Sequence, residues 1–154
     1  MATYNSIILE RHLKIQKELE ANETVTPGML VERVSGDKFQ KHSVAGGPAV
    51  PMFVKENALL GNEISDDYSS GDKAQVCYFT TGDEVYTFIA GGENVSEGDY
   101  LESDGAGHLQ VAGANSADSV GVSEYPNSIV AVALEAVDAT DSSNVAERIQ
   151  VEIL

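Results

Sequence analysis

The sequence predicts a mainly β chain, a small β-barrel or β-sandwich module carrying an extended or partly helical N-terminal arm. Three observations predict it. Short runs with strand character recur from residue 29 onward, separated by Gly, Asn, Asp and Ser. Three of those separators share one form, with Gly71-Asp72, Gly82-Asp83 and Gly98-Asp99 each standing directly before a run. The first 23 residues are patterned differently, and Pro27-Gly28 marks the change.

The elements follow in chain order. In "SIILERHLKIQKELE" Ile8, Ile15 and Leu19 lie at helical spacing with His12, and Glu10–Lys14 and Lys14–Glu18 are four apart. That spacing predicts an amphipathic helix, which in isolation is marginal in water and needs a surface to lie on. Two surfaces would serve, the chain's own domain or a partner on which residues 1–23 order as an arm. Residues 24–154 then form the β domain. Its runs are "MLVERV", "VPMFVKE", "KAQVCYF", "EVYTFIA", "YLES", "HLQVA", "SIVAVALEAV" and "ERIQVEIL". In the Gly-Asp pairs glycine accepts a positive φ and the aspartate ties nearby backbone N–H groups, which makes a strand entrance. "SIVAVALEAV" is nearly all apolar and reads as one strand covered on both faces. "ERIQVEIL" alternates, with Ile149, Val151 and Ile153 inward and Arg148, Gln150 and Glu152 outward.

Composition narrows the function. Among 154 residues, 9 Lys and Arg face 25 Asp and Glu, a net charge of −16. Such a surface does not seek phosphate backbones or anionic lipid, so nucleic acid and membrane are not expected partners. The imbalance is uneven: residues 1–73 hold 8 basic and 11 acidic side chains, while residues 74–154 hold Arg148 against 14 acids. The second part should present acidic faces to solvent. One cysteine, Cys77, excludes an internal disulfide and a Cys-based zinc site, and its place in a strand run predicts a small packed side chain. No apolar run reaches the length of a membrane span, and no basic-then-apolar leader opens the chain, so synthesis in the cytoplasm is expected.

The stretch "SEGDYLESDGAGHLQV" crowds Asp99, Glu102 and Asp104 around glycines. It lacks the ligand spacing of an EF-hand, although a fortuitous Ca²⁺ on those three acids is conceivable on composition. The stronger expectation is a hairpin, with "YLES" leading in and "HLQV" leading out. His12, His42 and His108 are far apart and form no metal-ligand pair, and no phosphate-binding loop or nucleophile elbow occurs. No catalytic residue, metal or cofactor is expected. One enzymatic echo exists: "EISDDYSSGDKAQVCYF" resembles a stretch of trimeric dUTPases. That likeness implies that Asp66 or Asp67 orients water and that Tyr68 stacks on a sugar, but the family's phosphate loop and glycine-rich C-terminal arm are missing here.

The order "TVTPGMLVE", "PMFVKENALLGNEISDDYSSGDKAQV", "GGENVSEGDYLESDGAGHL" and "AVALEAVDA…ERIQVEIL" resembles the capsid decoration, or cement, proteins of tailed bacteriophages, over about residues 24–154. The resemblance implies a non-enzymatic β-barrel module, often a homotrimer, on the outer surface of the expanded phage head. There it would bind the major capsid protein and bridge neighbouring subunits. An N-terminal arm adds contacts in several such proteins, and Ile7, Ile8, Leu9, Leu13, Ile15 and Leu19 occupy that place here. The alternative from another class is a head-fibre or host-glycan-binding β domain, using the loops around 91–107 and 112–128.

Overall fold

The structure is a computed structural model, and it describes residues 3–10, 15–113, 128–141 and 143–154. Apart from one short 3-10 turn at Ala58–Leu60, its regular elements are strands. They build two lobes. The N-terminal lobe is a five-stranded sheet ordered β3 (Val31–Val34), β4 (Lys38–Lys41), β2 (Ile15–Ala21), β6 (Lys73–Tyr78), β5 (Met52–Lys55). An antiparallel bridge between Leu30 and Phe53 curls its two ends together. The C-terminal lobe is a closed barrel of five strands: β7 (Glu84–Ile89), β10 (Leu109–Val111), β9 (Tyr100–Ser103), β11 (Ile129–Ala133) and β13 (Glu147–Ile153), the last pairing back onto β7 from Glu147↔Ile89 to Glu152↔Glu84. β1 (Ile8–Glu10) lies against the free part of β7, and β8 (Asn94–Val95) pairs with β12 (Val137–Asp138) at one end.

Two cores result. One lies inside the N-terminal lobe, around Leu19, Val31, Phe39, Met52, Val54, Tyr68 and Val76. The other fills the barrel and continues into the junction through Leu30, Phe53, Cys77 and Phe79. The strand period of two explains how β5 and β6 serve both. Met52 and Val54 point into the first core and Phe53 into the second, and Val76 and Cys77 divide in the same way. Cys77 is the small packed side chain expected of it, its thiol donating to Gln16 Oε1 at 3.7 Å.

The Gly-Asp turns form as their chemistry requires. Gly71, Gly82 and Gly98 take φ of 93°, 91° and 91°. The following Asp72, Asp83 and Asp99 each accept the backbone N–H three residues back, all at 2.8 Å, from Ser69, Thr80 and Ser96. Thr26–Met29 and Ala90–Glu93 turn in the same way, with Gly28 at 97° and Gly92 at 91°.

Three expectations are corrected. Residues 15–21 are strand β2 and residues 8–10 strand β1, so the helical reading of the first 23 residues fails where they are described; Arg11–Lys14, with His12 and Leu13, lie outside the described residues. The physical reason is that Ile15 and Leu19, four apart, share a strand face as readily as a helix face, and β6 offers β2 a full antiparallel partner from Tyr78 to Lys73. "SIVAVALEAV" is not one strand, because residues 134–136 break it between β11 and β12. β4 had no counterpart among the predicted runs: "KFQK" places one apolar side chain, Phe39, into the core, too little for a periodic signal.

Candidate functional site

The six apolar side chains assigned to an N-terminal contact do not form one surface. Ile7 (1% exposed) and Leu19 (4%) belong to the two cores, Ile8 and Leu9 are half-buried, and Ile15 is 48% exposed. Leu13 lies outside the described residues.

Ile15 belongs to a different feature. It pairs with Tyr78 across β2 and β6, and Tyr78 pairs with Met52 across β6 and β5. Residues directly opposite one another share a face, so Ile15, Tyr78 and Met52 form one apolar rung at the mouth of the N-terminal lobe. Behind the rung β3 and residues 50–52 part, leaving a cleft of about 320 Å³ lined by Val31, Glu32, Arg33, His42, Pro48, Val50, Met52 and Tyr78. Val50 is 58% exposed at its rim. Lys17, two residues along the same face from Ile15, holds its ammonium 5.8 Å from the Tyr78 ring centroid. Beyond Glu20 and Ala21, which pair with β4, the outer edge of β2 has no partner strand among the described residues.

Other exposed apolar side chains lie elsewhere. Leu59 (94%) and Leu60 (77%) stand out on the 3-10 turn, which Gly61 closes in the left-handed region. Tyr100 (57%) projects from the outside of the barrel and pairs with Val132.

At the wall of the cleft His42 is buried and bridges the lobes. Its Nε2 lies 3.1 Å from the Pro48 carbonyl and its Nδ1 2.7 Å from Ser103 Oγ. A carbonyl only accepts, so Nε2 carries the proton in the neutral ring and Nδ1 accepts from the Ser103 hydroxyl. Glu32 stands 3.9 Å from Nε2 and is already engaged by Gln40 and Ser43. The trio has the composition of a nucleophile triad but not its access. Ser103 is fully buried, and its Oγ also accepts the Gly105 N–H at 3.1 Å. The arrangement ties the residue that follows β4 to β9.

Of the residues singled out by the dUTPase likeness, Asp67 and Tyr68 line one cleft of about 320 Å³ with Asn62, Asp72 and Lys73, and Asp66, Asp67 and Tyr68 are all engaged within the chain. Asp67 accepts from Thr26 Oγ1 at 2.6 Å and Asp66 from the Glu63 N–H at 2.7 Å. Tyr68 lies in the N-terminal core and donates to the Lys55 carbonyl at 2.8 Å; burial pushes its phenol up to about 12.

The acids of the predicted hairpin are likewise committed. β9 and β10 pair from Leu109↔Ser103 to Val111↔Leu101, as expected. Asp104 accepts the N–H groups of Ala106 (2.7 Å) and His108 (3.0 Å) and pairs with His108 Nδ1 at 2.9 Å. Burial raises its carboxyl, but these donors outweigh it and hold the pKa below the ordinary value. Asp99 serves its own turn, and Glu102 accepts from Gln110. No three ligating side chains converge on a metal position among the described residues. Of the loops assigned to a glycan, residues 114–127 lie outside the described residues.

Arg148 escaped the sequence reading, which placed it simply outward on β13. Its Nη2 donates to the carbonyls of Ile64 (2.6 Å) and Pro27 (3.0 Å), and its guanidinium lies over Phe88 (4.2 Å) and Tyr86 (5.6 Å). Burial pulls its pKa down, with Tyr86 and Glu56 opposing, and it remains a cation at neutral pH. The Pro27-Gly28 turn it holds is secured further by Thr87 Oγ1 on the Gly28 carbonyl at 2.7 Å. The one available signal was its isolation, as the single basic residue after Lys73.

That placement divides the charge. Among the described residues Lys17, Arg33, Lys38, Lys41, Lys55 and Lys73 all belong to the N-terminal lobe, and Arg148 is the one cation of the barrel, turned into the junction.

No protein-family profile matches the chain, and no curated protein does. Among solved structures, the crystal structure of the N base of head fiber gp8.5 from bacteriophage phi29 is similar in fold. The superposition covers 92% of this chain and 95% of that one, with a TM-score of 0.58 and 14% identity.

Proposed function

We propose that this chain is a structural protein of a phage virion, carried on the outer surface of the head. There it contacts the major capsid protein as a homotrimer and cements neighbouring subunits without catalysing a reaction. The observation that carries the reading is the likeness of fold to a head-fibre base across nearly the whole of both chains. The sequence resemblance to decoration proteins over residues 24–154 points to the same class of particle. A symmetric oligomer suits the task, because several modest contacts acting together gain from effective concentration. The exposed leucines of the Ala58–Leu60 turn are apolar side chains available to a shell.

The test is cosedimentation of the purified protein with expanded heads that lack it, followed by electron microscopy of heads with and without the protein. Saturable binding at fixed positions of the outer lattice is the expected result; failure to bind such heads overturns the reading.

The solved neighbour favours one second reading, a base that seats a fibre and does not cement the shell. Heat release of packaged DNA separates the two. Cementing raises the release temperature of decorated heads, whereas a fibre base leaves it unchanged.

A further inference from the structure

We infer that copies of this chain join head to tail, the mouth of the N-terminal lobe of one copy docking on the outer face of the barrel of the next. The inference goes beyond head attachment and concerns how the proposed oligomer is made.

The docking face is formed by the exposed Ile15 and Val50, with Tyr78 half-buried on the same rung and Met52 buried beneath it, and it is flanked by Lys17 and Arg33. Glu32 also reaches this rim and brings an anion there, its carboxylate held back by hydrogen bonds from Gln40 and Ser43. Arg33 is bonded to Asp37 at 2.8 Å, so Lys17 is the principal cation the patch offers outward.

A complementary surface exists on the same molecule. Across β9, β11, β13 and β7 the pairings Tyr100↔Val132, Val132↔Glu152 and Glu152↔Glu84 align four side chains on one rung of the barrel. Their neighbours Leu101, Ala131, Val151 and Val85 fill the core, so this rung faces outward. It begins with an exposed tyrosine and a half-buried valine and ends in two glutamates. An apolar step beside a cation on one lobe thus faces an apolar step beside anions on the other.

Charge decides the symmetry. Two barrels set face to face would oppose acids to acids, since the one cation of the described barrel is turned into the junction. A two-fold contact through the barrel is therefore repelled, whereas the N-terminal lobe of a neighbour brings the lysine that the glutamates lack. Such a contact is heterologous, and it makes a closed ring when the rotation between copies closes.

Sedimentation velocity of the intact chain tests this. The parent should be oligomeric, with association weakening as salt is raised. Lys17→Glu and Glu152→Lys should each weaken association by at least about tenfold, and the chain carrying both should recover it, because the swapped charges meet across the contact. Both side chains lie at the surface, and unchanged far-ultraviolet circular dichroism checks that each variant folds. As an independent measurement, Ile15→Cys and Tyr100→Cys in one chain should give covalent oligomers with a short bismaleimide, and either cysteine alone should give none. The native Cys77 is fully buried, so a monomeric parent, absence of recovery in the double swap, or a covalent dimer from a variant with one introduced cysteine overturns the inference. A monomer that still cosediments with heads would overturn this contact and leave the head assignment standing; a head-to-tail oligomer that ignores heads would do the reverse.

Discussion

Arg148→Met removes the side chain that locks the two lobes together while keeping most of its apolar volume. The guanidinium gives two charge-assisted hydrogen bonds to carbonyls of the other lobe and lies 4.2 Å from the Phe88 centroid. Bonds of that kind contribute about 1.5–3 kcal/mol each, and a partly desolvated cation over an aromatic ring about 1 kcal/mol. Against this, Nη1 is buried with no hydrogen-bond partner, and its removal returns about 1–3 kcal/mol. The lower figures apply to the bonds, because one nitrogen makes both, so the expected net loss is about 1–3 kcal/mol. Urea unfolding followed by tyrosine fluorescence measures it, the chain having six Tyr and no Trp. With lost coupling the variant should also show a broader or two-step transition, since each lobe has its own core. A variant within about 0.5 kcal/mol of the parent, with an equally sharp transition, would refute the clamp.

Other perturbations have expected outcomes of their own. Gly82→Ala places a Cβ in open space at φ 91° and should cost about 1–2 kcal/mol, whereas Gly28→Ala, whose Cβ would lie 2.7 Å from Arg148 Nη1, should cost clearly more; urea midpoints give the order. Tyr68 keeps its proton in the folded state to about pH 12 while the unfolded chain releases it near the ordinary value of 10, so its contribution falls as pH rises through that window. Tyr68→Phe should flatten this alkaline limb, and stability measured across the window checks it. Asp104 has the opposite sign: its depressed pKa supports the fold above the ordinary carboxyl value and loses that support as pH falls, so Asp104→Asn should be less stable at neutral pH and converge on the parent in acid. Deleting residues 1–20 removes β1, nearly all of β2 and the buried Ile7 and Leu19. Each of those side chains contributes about 1.5–3 kcal/mol by burial alone. The truncated chain should fail to fold, as its circular dichroism would show.

The parts of the fold legible in the sequence were those in which local chemistry and global structure agree. The hairpin from Tyr100 to Val111, the alternation of Ile149, Val151 and Ile153, and the Gly-Asp turns all rest on interactions spanning a few residues. What escaped depends on distant partners. β2 runs antiparallel to β6 but parallel to β4, and neither pairing leaves a trace in "IQKELE", whose four-residue spacing suits two periodicities. The division into lobes depends on β5 and β6 sending alternate side chains to two cores, which composition alone shows only as apolar runs. The docking rung escaped for the same reason, because Ile15, Tyr78 and Met52 are brought together only by register. Arg148 read as an outward strand residue, and only the position of the Pro27-Gly28 turn makes it a clamp.

Two groups among the acids that dominate the composition have different consequences. Asp66, Asp72, Asp83, Asp99, Asp104, Asp138 and Asp141 each accept a backbone N–H at a turn. For Asp138 and Asp141 the hydroxyls of Thr140 and Ser143, assisted by backbone N–H groups, hold the carboxyl below its ordinary pKa. These carboxylates serve the folding of a chain built from short strands and many turns, and converting them to amides tests turns, not recognition. Glu84 and Glu152 lie on the outward rung of the barrel, where Glu84 accepts from Gln150 and neither closes a turn. Charge reversal there changes the field met by a neighbour while leaving the turn network intact. An electrostatic role in assembly is therefore tested with the glutamates. If association of the parent were unmoved by reversing Glu152 yet weakened by amides at the turn aspartates, the acidic barrel would be acting through its stability alone.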